Sequence, residues 1–188
     1  MNQSFKEHQT TLPVGTGKSV AYPKHWYVAY VRMYHEKKVS ERLREMGIES
    51  FIPIQEEMHQ WSDRKKKVER VLIPMMVFVH ADAIERREAL TLTAVSRYMV
   101  MRGESTPAII PDEQMERFRF MLDYSEETVT INDAPLEKGA SVRVIKGPLT
   151  GLEGELWTVK GKSQIAVRID LLGCACVDMP RGYVELIK

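Results

Sequence analysis

The chain has 188 residues, enough for one or two domains, and its 44% hydrophobic and 28% charged content excludes a wholly disordered chain. Its 27 Lys and Arg against 26 Asp and Glu leave a net charge of +1, which excludes a histone-like protein but not a local basic patch. The longest apolar run (VLIPMMVFV, 71–79) falls far short of the ~18 residues of a membrane helix, no apolar signal core opens the chain, and two cysteines are too few for a disulfide scaffold, so a soluble, cytoplasmic monomer is expected.

Near-neutrality hides an asymmetry. Residues 24–70 carry eleven basic residues against eight acids, whereas residues 104–137 carry nine acids against Arg117 and Arg119. The front of the molecule is basic and its middle acidic.

In chain order, residues 1–22 are polar and hold Pro13, Gly15 and Gly17, so a disordered tail is expected. HWYVAYVR (25–32) is aromatic and β-branched and reads as a strand. In 35–47, Val39, Leu43 and Met46 share one helical face, and Gly47 is the left-handed stop. IESFIPI (48–54) is a second strand. The charged stretch 55–70 reads as a hairpin turning near Ser62-Asp63. VLIPMMVFVHA (71–81) reads as a long central strand in which Pro74 implies a bulge. Asp82 and Glu85 form a capping-box pattern for a short helix, RYMVMR (97–102) is a strand, and Pro111 opens a helix with Met115, Phe118 and Leu122 on its buried face.

The order is strand–helix–strand, strand–helix–strand, helix. It predicts an α+β, ferredoxin-like split βαβ layer over 23–125, with one sheet face or edge left for partners. An acidic linker is expected at 126–137. Beyond it, five short strands punctuated by Gly147, Gly151, Gly154, Gly161 and Gly173, with no helix, predict a small five-stranded β-barrel over 138–188.

Two motifs carry a family resemblance. VRVIKGPLTGLEGELWTV (142–159) resembles the KOW motif, with Gly147, Gly151 and Gly154 spacing the turn between two strands. WYVAYVR, KVSERLREMGIESFIP and LIPMMVFV resemble, in order and separation, the N-terminal domain of the NusG family. WSDRKKKVERVLIPMMVFVHA and SRYMVMRGESTPAIIPDEQMERFRFML further resemble the specialised UpxY-type antiterminators linked to capsular polysaccharide operons.

The resemblance implies a transcription elongation or antitermination factor, not an enzyme, with no cofactor. Its N-terminal domain would dock on the clamp helices of the largest RNA polymerase subunit. The positions matching the family's apolar pocket are Tyr30, Ile73, Met76 and Phe78, with Phe51 as a further candidate. Each has a plain core role as its alternative. A second polymerase contact falls at Arg86 and Arg87. Nucleic acid of the transcription bubble would meet Arg32, Lys37, Lys38 and Arg42, and the run Arg64, Lys65, Lys66, Lys67 and Arg70, for which a solvated hairpin is the competing reading. The KOW unit would take Rho or a small-subunit ribosomal protein. Alternatives are a general housekeeping NusG and a KOW-type ribosome- or RNA-binding protein with no polymerase role.

Three signals are set aside. GTGKS (15–19) has Leu12 where a phosphate-binding loop needs Gly. Cys174 and Cys176 share one strand face with no second pair or histidine to complete a zinc site, so buried reduced thiols are expected. Trp157 reads as barrel core in preference to a binding surface.

Overall fold

The computed structural model describes residues 22–60, 65–133, 139–159 and 161–187. The expected tail up to residue 21, GTGKS, Arg64, the Ser62-Asp63 turn and 134–138 of the expected linker lie outside them.

The N-terminal half is built from β1 (His25–Val31), α1 (Glu36–Glu45), β2 (Glu49–Phe51), β3 (Ile54–Gln60), β4 (Lys65–Val71), β5 (Met76–Ala81), α2 (Ala83–Ala89), β6 (Val95–Tyr98) and α3 (Asp112–Tyr124). Four strands form an antiparallel sheet in the order β2-β5-β1-β6, the expected split βαβ arrangement. Residues alternate faces along each strand. Tyr27, Ala29, Val31, Val77, Val79 and Ala81 pack under Val39 and Leu43 of α1 and Ala89 of α2. Trp26, Val28 and Phe78 point the other way, onto Met115, Phe118 and Met121 of α3. The second face is therefore covered, so of the expected free face or edge the face is ruled out.

The apolar run 71–81 is not one strand. Leu72–Met75 forms a turn in which Met75 adopts φ 63°, and β4 leaves the sheet to pair with β3 alone. Pro74, which lacks an N–H to donate, explains why the ladder breaks there.

The C-terminal half contains β7 (Thr130–Asn132), β8 (Ala140–Val144), β9 (Glu153–Val159), β10 (Lys162–Ile169), β11 (Gly173–Asp178) and β12 (Val184–Leu186). Their order is β12-β8-β9-β10-β11-β7. The expected closed five-stranded barrel is corrected to an open, six-stranded sheet. The extra strand, β7, falls inside the acidic stretch 126–137 and occupies the free edge of β11. Gly173 makes that approach feasible: a Cβ there would lie 2.1 Å from the Asn132 carbonyl oxygen.

α3 is the middle layer of the molecule. Met115, Phe118 and Met121 belong to one continuous core that also holds Val142, Ile165, Val167 and Val177 of the second sheet. Polar ties flank this core. Arg117 Nη2 lies 3.1 Å from Glu153 on β9, and the Asp170 N–H donates to Gln114 Oε1 at 2.8 Å. Gln55 on β3 donates to the Glu127 carbonyl (3.0 Å) and accepts from the Val129 N–H (2.9 Å), gripping the chain between the halves.

Candidate functional site

The ladder registers place the apolar candidates together. Tyr30 faces Met76, Val28 faces Phe78, and Phe51 faces Phe78, so Tyr30, Phe51, Met76 and Phe78 occupy the α3 face of the sheet. Exposure then divides them. Phe78 is fully buried, and Ile73, in the turn before β5, is 8% exposed. Phe118 fills the space over Phe78, with ring centroids 6.0 Å apart, and also stands edge-on to Phe51 at 5.9 Å. Phe78 and Ile73 are buried in this conformation, in keeping with the core role held as the alternative for each. Tyr30, Phe51 and Met76 remain half-buried at the margin of α3.

That margin is dressed by arginines. Arg119 on α3 lies 5.8 Å over the Trp26 ring and 5.5 Å over Phe51, and donates to Glu49 at 3.1 Å. Glu49 also accepts from His80 Nδ1–H at 2.9 Å, and His80 stacks on Trp26 at 4.9 Å. Arg97 lies 5.1 Å over Tyr30. These contacts use the attraction of a cation for an aromatic face. Sequence reading missed Arg97, Arg119 and Trp26. Strand alternation could have found Trp26, which lies in phase with Val28 and Tyr30; the arginines needed the fold.

Beside this groove, Glu36 is the buried charged residue among those described, 5% exposed, and its Oε1 accepts from the Met75 N–H at 2.8 Å. It holds the left-handed turn that presents Met75 to solvent.

The cationic candidates separate into two groups. Arg32, His35, Lys38 and Arg42 line a cavity of about 190 Å³ with Val39, Leu92, Thr93 and Ala94, between α1 and the segment before β6. Arg42 is paired with Glu45 at 2.6 Å. The second group lies on the β3–β4 hairpin. There Lys67 pairs with Glu56 at 2.8 Å and Arg70 with Glu57 at 2.9 Å, while Lys66 is exposed. Lys65 enters as the backbone partner of Gln60. Lys37 belongs with this group, through an ion pair to Glu69. Exposed pairs of this kind are worth about 0–1 kcal/mol and open readily for another anion.

Arg86 and Arg87 sit on α2, across the sheet from the groove. Arg86 lies 5.1 Å over the Tyr27 ring, and the exposed Arg87 donates from Nε to the Ala83 carbonyl. The capping box that starts this helix is as expected: Asp82 accepts from the Ile84 and Glu85 N–H groups, and Glu85 accepts from the Asp82 N–H.

In the second sheet, Gly147 (φ 87°) and Gly151 (φ 95°) are left-handed, while Gly154 lies within β9, where a Cβ would sit 2.6 Å from the Ala166 carbonyl oxygen. Trp157 is buried, but in a separate cluster with Ala166, Cys174 and Cys176 and not in the main core. Both thiols are free and buried, and burial pushes Cys176 up to about 11.

A family model described as transcription termination factor nusG matches residues 24–119, from the start of β1 into α3 and just over half of the chain. No curated protein matches. Among solved structures, a chain from "Domain interaction in Thermotoga maritima NusG" is 21% identical, with a TM-score of 0.48, covering 88% of this chain and 98% of that one. A chain from "Crystal Structure of MjSpt4:Spt5 complex conformation A" is 14% identical, with a TM-score of 0.28, covering 87% and 98%. Both likenesses are distant.

Proposed function

This chain belongs to the NusG family of transcription factors, and from that premise we propose that it is an elongation and antitermination factor that docks on RNA polymerase and suppresses pausing or termination. The observation that carries this reading is the match over 24–119, the unit that aligns Tyr30, Phe51 and Met76 on one sheet face.

Docking uses the open margin of that face against the clamp helices of the largest subunit. Tyr30 and Met76 are the contact residues, Phe51 flanks them, and the exposed Met75 extends the surface. An apolar helix laid in a groove is a recurrent recognition mode, and methionines adapt their shape to it. Ile73 and Phe78 support the surface from beneath. Arg87 on α2, with Arg86 behind it, is the second polymerase contact. The cavity cations Arg32, Lys38 and Arg42, Lys37 of α1, and the run Arg64, Lys65, Lys66, Lys67 and Arg70 meet phosphates of the transcription bubble. The KOW-like second sheet recruits a further protein, of the kind represented by Rho or a small-subunit ribosomal protein.

The mechanism needs no bond to be made or broken. A domain bound across the polymerase cleft adds binding energy to the closed, elongating state alone, so that state gains population at the expense of paused ones. The specialised setting we propose is transcription of capsular polysaccharide operons, supported by the UpxY-like stretches.

Two measurements test this reading. Retention on purified core polymerase should fall roughly ten-fold for Tyr30→Ala and Met76→Ala with little change in melting temperature, whereas Phe78→Ala should chiefly lower the melting temperature. In single-round transcription, the protein should raise read-through of a terminator placed behind the leader of its own operon. Read-through on any leader alike points to a general elongation factor. Absence of retention on polymerase, with binding to ribosomal RNA instead, overturns the proposal.

A further inference from the structure

Among the described residues, the most exposed of the large hydrophobic side chains lies outside the apolar groove. Tyr34 is 90% exposed, and its backbone stands at φ 62°. Glycine occupies that left-handed region freely, and a tyrosine does not. The turn that holds it is closed twice. The His35 N–H donates to the Arg32 carbonyl at 3.0 Å, and His35 Nδ1–H donates to the Met33 carbonyl at 3.0 Å. The chain thus spends backbone strain to present an aromatic ring to water, against both its steric and its burial preference. An outlier of this kind, observed first, points to a binding role.

Its neighbours state which ligand. Tyr34 stands between Arg32 and His35, both of which line the 190 Å³ cavity, and Lys38 and Arg42 complete its cationic wall. Among the described residues, Glu45 is the one acid ion-paired to Arg32, Lys38 or Arg42, through Arg42. A cationic hollow whose adjoining turn, Arg32–His35, carries a solvent-facing ring offers the pairing that single-stranded nucleic acid needs: phosphate for the cations and an unpaired base for the ring. A duplex keeps its base faces stacked inside and cannot use the ring.

We propose that Tyr34 is a stacking platform for an unpaired nucleobase whose adjoining phosphate sits between Arg32, Lys38 and Arg42. This rests on the nucleic-acid reading of those cations and deepens it by adding a residue that takes the base.

The test uses the full chain and fluorescence anisotropy with labelled twelve-nucleotide strands of mixed sequence, as DNA and as RNA, and with the twelve-base-pair DNA duplex. Single strands should bind more tightly than the duplex, and the tighter of the two single strands identifies which strand of the bubble is held. Tyr34→Gly should weaken single-strand binding about ten-fold, with an unchanged log–log salt slope. It should not lower the melting temperature, because glycine suits this backbone. Tyr34→Trp should retain binding. Arg32→Gln with Lys38→Gln should flatten the salt slope by roughly 1.4, at about 0.7 per phosphate on a single strand. If the wild type binds strands but Tyr34→Gly binds equally well, stacking is refuted and the cation reading survives. If strands do not bind, or the charge variant keeps the original slope, both fall. A twelve-residue polyglutamate that competes as well as the strands would also overturn the proposal in favour of an acidic peptide.

Discussion

Tyr98 carries its hydroxyl into the layer between the sheet and α2, where its ring meets Tyr27 edge-on at 5.8 Å and Arg86 caps the same tyrosine. Among the described residues it has the buried side-chain oxygen with no hydrogen-bond partner, and burial pushes its pKa up to about 12. An unpaired buried hydroxyl costs about 1–3 kcal/mol, and removing it leaves the ring packing intact. Tyr98→Phe is therefore expected to stabilise the protein by about 1 kcal/mol, read as a melting temperature a few degrees higher. A lower value would mean that the hydroxyl has a partner, such as an ordered water. The arginine over Tyr27 also explains why Arg86 and Arg87, neighbours in sequence, differ in availability: one is held on a ring and the other projects from the helix.

Among the elements, β9 and β10 are tied by Glu155. It accepts from Arg168 Nε and Nη2 at 3.0 and 2.9 Å, from the Gly139 N–H at 2.9 Å and from Trp157 Nε1–H at 3.3 Å. Burial pushes its carboxyl upward, but Arg168 and the two N–H donors outweigh it and hold the pKa below the ordinary value. The sign follows from that depression. The unfolded chain takes up the proton first, so the stabilisation is complete above the ordinary value of 4.5 and is lost as pH falls through the lower, folded-state value. Glu155→Gln should cost about 2 kcal/mol at pH 7 and should flatten the stability–pH curve below about pH 4.5. Denaturant titrations at pH 7 and pH 3.5 measure both, and equal losses at the two pH values would refute the carboxylate's role. Local chemistry of another kind was readable in advance. The capping box at Asp82 and the stop at Gly47 (φ 77°) depend on residues within four positions of each other. The break between β4 and β5 was only half readable: Pro74 signals an interruption, but whether the chain bulges or leaves the sheet depends on where β3 lies.

For the whole molecule, the telling feature is that α3 is shared. Phe118 touches Phe51 and Phe78 of the first sheet, and its helix is built into the core of the second. Two units joined by a single buried layer should unfold together, so calorimetry of the wild type is expected to show one cooperative transition. Phe118→Ala should cost about 3–5 kcal/mol, since truncation leaves a cavity facing both sheets. It should also loosen the grip of one half on the other, seen as faster proteolysis between residues 125 and 139. Two resolved transitions in the wild type would refute the shared core. The same layer governs access to the apolar groove, because what α3 covers cannot meet a partner while it stays in place.

Periodicity, caps and glycine placement act over a few residues, which is why the first two strands, the three helices, the hairpin and the succession of short strands after 138 could be read from the chain alone, whereas the run 71–81 reads as one strand and is broken by a turn. Met76 and Phe78, two positions apart, share a strand face by alternation alone, but the company of Tyr30 was implied by the family resemblance and depends on the pairing of β1 with β5. Burial is not local. Phe78 became core, Tyr30 stayed at the margin and β7 joined the second sheet because a helix and a strand edge, forty or more residues away in sequence, arrived beside them. Charge shows the same division: the basic composition of 24–70 was evident from the start, but only folding gathered Arg32, Lys38 and Arg42 around one hollow and set Lys67 and Arg70 against glutamates of the neighbouring strand. Coulomb interactions fall off with distance in space, and distance in space is what the tertiary structure sets.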